Sequence, residues 1–378
     1  MTRASVSIGA ALLLAPLSAQ ATLVVSGQYV ELTGRISEPI SIENGGRAVL
    51  RDAVVIAPTQ GMSRQATVSM PNAESTFEMR GSSFLTSTNG IPLSMNTRNS
   101  VVLADDALLV APQEIAIHSD GGTLNAVYLE DHATIVGNIQ ANTDVFIAGN
   151  SRVIGAVRIV DWGDFSMSGG MVTGGVSIVA GGRHDIDISG GRIDGGLRAT
   201  GSIAIGHFEM WGGEILGGFV GTSTVRDANL FGGSIIGGLV LGHDAELSIW
   251  GGHFDAADSG WLLEATDSDF ASGLSMQSIS IYGGNFGRSN AGGGIRLDYG
   301  NNVDVYGYDL SLVNGFLSGF LSDGSLINLN VSTGADWYGS IVLHDVRTSV
   351  PEPSSLALFL VALGGLAVCR RRSAKQIS

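Results

Sequence analysis

The sequence predicts an all-β fold, a parallel β-helix or β-solenoid of about 12 coils, on three observations. One short pattern recurs along the chain, each copy opens with alternating apolar and polar residues, and most central copies run on into a glycine pair. The clearest copies are "VYLEDHATIVG" at Val127, "VFIAGNSRVIG" at Val145, "FSMSGGMVTGG" at Phe165, "IDISGGRIDGG" at Ile186 and "FEMWGGEILGG" at Phe208. They continue as "ANLFGGSIIGG" at Ala228, "LSIWGGHFDAA" at Leu247, "ISIYGGNFGRS" at Ile279 and "VDVYGYDLSLV" at Val303. Fainter copies begin at Ala48, Phe77 and Val101. A unit of roughly 20 residues is too short for a helix plus a strand, and it suits a coil of two or three short strands with glycine at the corners. Stacked at about 4.8 Å per coil, a dozen coils make a rod on the order of 55 to 60 Å long, and right-handed winding is the common case for parallel crossovers.

The elements follow in chain order. Residues 1–21 read as a signal peptide: Arg3, an apolar run through Leu12, Leu13 and Leu14, then Ala19-Gln20-Ala21, which suits cleavage after Ala21. Residues 22–345 form the solenoid, and 346–353 a linker. Residues 354–369 carry no charge and span about 24 Å as a helix, somewhat short of a hydrocarbon core of about 30 Å. Residues 370–378 follow as a basic tail in which Arg370, Arg371 and Arg372 stop the span and keep this end in the cytoplasm. The body therefore lies outside the membrane.

Composition narrows the partners. Of 378 residues 55 are Gly, and the one cysteine, Cys369, sits in the terminal apolar run, so the body has neither a disulfide nor a cysteine metal site. Setting aside Arg3, Glu352, Arg370, Arg371, Arg372 and Lys375 leaves 15 basic against 34 acidic residues. Nucleic acid is excluded as a partner by that surface, because phosphate binding needs a basic footprint. An uncapped solenoid end exposes unpaired backbone groups, which opens a route to self-association.

In each copy the first and third positions, such as Ile186 and Ile188 or Leu247 and Ile249, point inward, and the second and fourth point to solvent. Asp187, Glu209, Asn229 and Ser248 suit an outer face. The fourth position runs Ser168, Ser189, Trp211, Phe231, Trp250, Tyr282 and Tyr306, five aromatics where polar residues belong. Two readings stay open. The rings form a self-stacking ladder, or they form a platform for sugar rings with Glu209 as a hydrogen-bonding neighbour. The interval of 32 residues from Leu247 to Ile279 holds either an extra coil or a protruding loop, so Trp250 and Tyr282 need not be neighbours.

Signals for chemistry are weak. Asp187 and Glu209 on adjacent coils stand about 5 Å apart, within the range of acid/base pairs. Any acidic solenoid generates such neighbours. His184, His207 and His243 precede three successive strands at different offsets, so they form no column of ligands and read as solvated corner residues. Asp267 to Asp269 lack the frame of a calcium loop, and Gly287 to Gly294 lack the strand-to-helix context of a phosphate loop. No cofactor, metal or catalytic residue is expected.

Two resemblances add to this reading. Val350-Pro351-Glu352-Pro353, the apolar run with Gly364-Gly365, and Arg370 to Arg372 resemble, in that order, the PEP-CTERM sorting signal. That resemblance implies an exported protein of a Gram-negative bacterium that makes extracellular polysaccharide. It implies signal peptidase and an exosortase as processing partners, a temporary hold in the inner membrane, then release to the surface or matrix. Pro351, Glu352 and Pro353, with the arginines, are recognition residues in it and not catalysts. The body resembles pectate-lyase-like β-helices, whose exported members are often polysaccharide lyases or hydrolases, and Asn142-Thr143-Asp144 resembles the first motif of polygalacturonases. The companion Gly-His-Gly and Arg-x-Lys motifs are absent. The expected function is therefore a non-catalytic cell-surface or exopolysaccharide-matrix protein, binding polysaccharide through Trp211, Phe231, Trp250, Tyr282, Tyr306 and Glu209, with a lyase or hydrolase as the alternative.

Overall fold

The computed structural model describes residues 21–346, apart from 60–65, 73, 97, 120–124, 180, 201–203, 222–223, 243–244, 257–259, 266–276, 288–292, 298–299 and 334–338. Among the described residues every regular element is a β-strand, 36 in all, joined by hydrogen bonds into a parallel solenoid of about 11 turns. No described helix is long and apolar enough to cross a membrane. The expected signal peptide (all but Ala21) and apolar helix 354–369 lie outside the described residues.

Each coil contributes one strand to each of three ladders. In the first, Ile186 pairs with Phe208, Phe208 with Ala228, Ala228 with Leu247, Leu247 with Ile279 and Ile279 with Val303. In the second, Ile193, Ile215, Ile235, Phe254 and Phe286 stand in register. In the third, Leu197, Phe219, Leu239, Leu263, Ile295 and Val331 do so. The inward positions read from the repeat are buried, Ile186, Ile188, Phe208, Met210, Leu247 and Ile249 among them. Filling the interior with such side chains is the main source of stability, at about 1.5 to 3 kcal/mol for each fully buried large apolar residue. A pectate-lyase-like body is compatible with this winding.

The glycine pair at the first corner answers two separate demands. A Cβ on Gly212 would lie 2.7 Å from the Ser189 carbonyl oxygen, so the first glycine lets consecutive coils approach. Gly213 has φ +84°, the left-handed region that L side chains avoid, so the second glycine turns the chain. Earlier coils make the same corner with aspartate. Asp52, Asp105 and Asp131 take φ of 49°, 57° and 55°. Their carboxylates then accept backbone N–H groups of the next coil or the one before, Ser82 to Asp52 and Gly81 to Asp105 at 2.8 Å each. At another corner buried amides serve: Ser75 N–H donates to Asn99 Oδ1 at 2.9 Å and Asn99 N–H to Asn125 Oδ1 at 2.6 Å.

One open alternative is decided and one expectation needs correction. The long interval after Leu247 is a single coil, because Leu247 pairs directly with Ile279 and the strand Leu263–Ala265 continues the third ladder. The copy at Val303 is regular only at its start. The strand Asn302–Val313 doubles back as an antiparallel hairpin with Phe316–Leu321, which pairs in turn with Leu326–Thr333. Asn314 and Gly315, at φ 50° and 74°, make the two-residue turn whose twist matches paired strands. Leu317, Leu321, Ile327 and Leu329 on this insertion are buried, while Phe316, Phe320 and Leu326 are exposed.

Candidate functional site

The fourth-position aromatics form one continuous stack. Ring centroids are 4.0 Å apart for Trp211 and Phe231, 6.4 Å for Phe231 and Trp250, 4.0 Å for Trp250 and Tyr282, and 4.3 Å for Tyr282 and Tyr306. Interplanar angles stay between 5° and 17°. Coil stacking at about 4.8 Å sets this geometry, since side chains in one column can lie parallel only by facing each other. Rings at 4.0 to 4.3 Å cover one another, while Phe231 and Trp250, 6.4 Å apart, are offset and leave Trp250 45% exposed. Trp211 differs, because the preceding coil offers Ser189 and no ring, and 57% of the residue is exposed.

The stack ends on a residue the repeat reading missed. His344 lies 4.4 Å from Tyr306 at 9°, and its Nε2 is 2.6 Å from Asp304 Oδ1. The signal was present: Ile341-Val342-Leu343-His344 has the same alternation and pairs with Val303-Asp304-Val305-Tyr306, but lacks a glycine pair to mark it. Along the column, burial together with the hydrogen bond to Tyr282 pushes the Tyr306 phenol above its ordinary pKa.

Beside Trp211 the outer face carries charge. Register places Asp185 against His207 and Asp187 against Glu209, so alternate outward positions of two coils bring three carboxylates and one imidazole together. His207 Nε2 is 3.1 Å from Glu209 Oε1, and its Nδ1 is 3.2 Å from Asp227 Oδ2 on the next coil. Trp211 donates its indole N–H to Glu209 Oε2 at 2.9 Å, and Asn229 donates to Asp227 Oδ1 at 2.7 Å. Burial alone would lower the His207 pKa, but the Asp227 and Glu209 carboxylates outweigh it and hold the imidazolium above its usual range. Burial raises Asp187, with Glu209 and Asp185 adding to the rise and His207 opposing it. Comparing histidines only with histidines hid this cluster in the sequence, because the partners of His207 are carboxylates: Glu209 two residues along its own strand, and Asp187 and Asp227 on the two neighbouring coils.

The remaining sequence candidates separate. His184, expected at a solvated corner, is buried, with Nδ1 2.6 Å from the Gly163 carbonyl oxygen. Asn142 accepts the Trp162 N–H and donates to Asp161, and Asp144 accepts the Asp164 N–H at 3.0 Å, so both serve as corner supports. His243, Asp267 to Asp269 and most of Gly287 to Gly294 lie outside the described residues, as do Pro351, Glu352, Pro353, Arg370, Arg371 and Arg372.

Fold and sequence together define an all-β solenoid followed by a terminal address. Residues 349–373 match the family described as the PEP-CTERM protein-sorting motif. The chain carries that motif, which implies an exported protein, processed by an exosortase and anchored transiently in a membrane. No curated protein and no solved structure matches the chain.

Proposed function

We propose that this is a non-catalytic rod of the cell surface or exopolysaccharide matrix, held in the inner membrane until sorting and then contacting polysaccharide at the start of its aromatic stack. The single observation that carries the reading is the stack itself. Five aromatics and His344 line one outer edge of a body that needs no rings there for its core. Because Trp211 has no ring before it and is the most exposed of the column, the contact centres on its open face, where a sugar ring can stack, with Glu209 beside it for hydroxyl groups. Substituting Trp211 and Trp250 separately tests this. On immobilised host polysaccharide, Trp211→Ala is expected to lose retention, while Trp250→Ala weakens the stack but keeps most binding. Equal retention of folded wild type and Trp211→Ala sinks the proposal.

A catalytic reading has one observation in its favour, the raised pKa of Asp187 next to Glu209 in register. It demands release of reducing ends or unsaturated sugars by purified protein, abolished in Asp187→Asn or Glu209→Gln. Absence of any such product from the host polysaccharide leaves the non-catalytic rod.

A further inference from the structure

We infer that Asp187, His207 and Glu209 form a site for one divalent transition-metal cation, of which zinc is the best fit. Their ligand atoms all lie within 4.8 Å of one another on the outer face of two adjacent coils. Two ligands on a tetrahedral zinc ion, each about 2.1 Å from it, stand about 3.4 Å apart. The 3.1 Å between His207 Nε2 and Glu209 Oε1 is close to that spacing, and Asp187 closes the third side.

The imidazole supplies the argument that an acidic patch alone would lack. Both of its nitrogens face carboxylate oxygens, Nε2 toward Glu209 and Nδ1 toward Asp227. These two approaches can be met in two ways: an imidazolium donates to both carboxylates, or a metal ion takes the place of the Nε2 proton while Nδ1–H still donates to Asp227. With Nδ1–H donated to Asp227, the Nε2 lone pair is free for a metal. This is the arrangement in which an outer carboxylate fixes the tautomer and orientation of a ligating histidine. The other outer contacts agree. Asn229 holds Asp227 through Oδ1, and the Trp211 indole holds Glu209 through Oε2, leaving Oε1 turned toward Nε2.

Charge points the same way. Asp185 lies in the same row as His207 with a buried Oδ1 that has no hydrogen-bond partner, and the Arg183 Nε stands 3.8 Å from it. Four carboxylates thus surround one imidazole and one guanidinium. A nitrogen donor with two carboxylates favours zinc, cobalt or manganese over calcium or magnesium, which prefer oxygen alone. Asp227 and Trp211 are positioning residues, and the remaining coordination positions face solvent.

The test is calorimetric titration of zinc chloride into the untagged full-length chain in detergent micelles, with calcium and magnesium chloride as comparisons and cobalt absorption as a coordination signature. One equivalent of zinc is expected to bind the wild type, with cobalt giving visible bands of a low-coordinate site. His207→Gln and Glu209→Gln should abolish that equivalent and the bands. Asp227→Asn should keep the stoichiometry while weakening affinity about 10-fold, the size of an outer-shell loss. His132→Gln, far from the cluster, should change nothing, and circular dichroism confirms that each variant is folded. No stoichiometric zinc binding by the wild type, equal binding by folded His207→Gln, or tighter binding of calcium than zinc each overturns the site.

Discussion

One outward column changes character from one end of the solenoid to the other. In the early coils it carries Arg51 and Arg80, paired with Glu31 at 3.1 Å and with Glu78 at 3.3 Å, and Arg47 joins Glu78 as well. In the middle it shrinks to Ala148, Ser168 and Ser189, and from Trp211 onward it is aromatic to His344. The corner beside it changes too, from Asp52, Asp105 and Asp131 to paired glycines. The two ends solve one problem by different physics. Side chains that repeat every coil must tolerate a neighbour of their own column at about 4.8 Å, and like charges do not, so each arginine there needs a carboxylate from the adjoining column. Flat rings tolerate that neighbour directly by stacking. The ring-stacking contacts should therefore be insensitive to salt and the arginine pairs sensitive to it.

That contrast can be broken at either end, and local hydrogen exchange reads each half separately, as suits a body whose coils touch only their neighbours. The largest expected loss is at Glu78, whose side chain is 8% exposed between two guanidinium groups. Glu78→Ala should lower protection of the early coils by about 1.5 to 3 kcal/mol, the range for hydrogen bonds to charged groups. The loss should shrink in 1 M salt, where the screening length is about 3 Å. Trp250→Ala removes a ring stacked on both faces and should cost about 2 kcal/mol in the later coils, unchanged by salt. A salt-dependent Trp250 effect would remove the distinction between the ends.

Smaller effects sharpen the corners. Gly213→Ala places a side chain at positive φ and should cost about 1 to 2 kcal/mol. Asp105→Gly loses one carboxylate acceptor but relieves a left-handed residue, and should fall within about 0.5 kcal/mol of wild type. The smallest change concerns Asp144, held above the usual carboxylate range by burial, with the Asp164 N–H contact opposing and the Asp164 charge adding to the rise. A raised folded-state pKa means that the native protein binds this proton more readily than the unfolded chain. Stability then falls as pH rises through the window just above the ordinary aspartate value. Asp144→Asn, whose amide oxygen can still accept from Asp164, should flatten that dependence and give a slight gain at neutral pH, measured by thermal melts across pH.

The parts legible in sequence were those that recur. Ile186, Phe208 and Leu247 declared the core because each sits at the same offset from a glycine pair, and the aromatic column followed from the same alignment. What escaped had no repeat to mark it. The adjacency of Trp250 and Tyr282 was obscured by extra residues elsewhere in that coil, which leave the first ladder undisturbed. The hairpin was hidden because Val303 began a regular copy, although Asn314-Gly315 is itself a strong local signal for a two-residue turn. The grouping of Asp187, His207 and Glu209 needs two offsets on two coils at once, which neither periodicity nor a motif reports.

The hairpin has a mechanical consequence. Ladder hydrogen bonds run along the solenoid axis, so a pull from the C-terminal side of the described strands loads them end-on, one coil at a time. Yielding then begins at Ser340–Asp345, the last described strand, which pairs with the stem of the hairpin. Behind it, three antiparallel strands folded on a tight turn form a buckle between that last strand and the rest of the wound chain. Tension from the C-terminal side parts His344 from Tyr306 first, and meets this buckle before it reaches Tyr282, Trp250, Phe231 and Trp211.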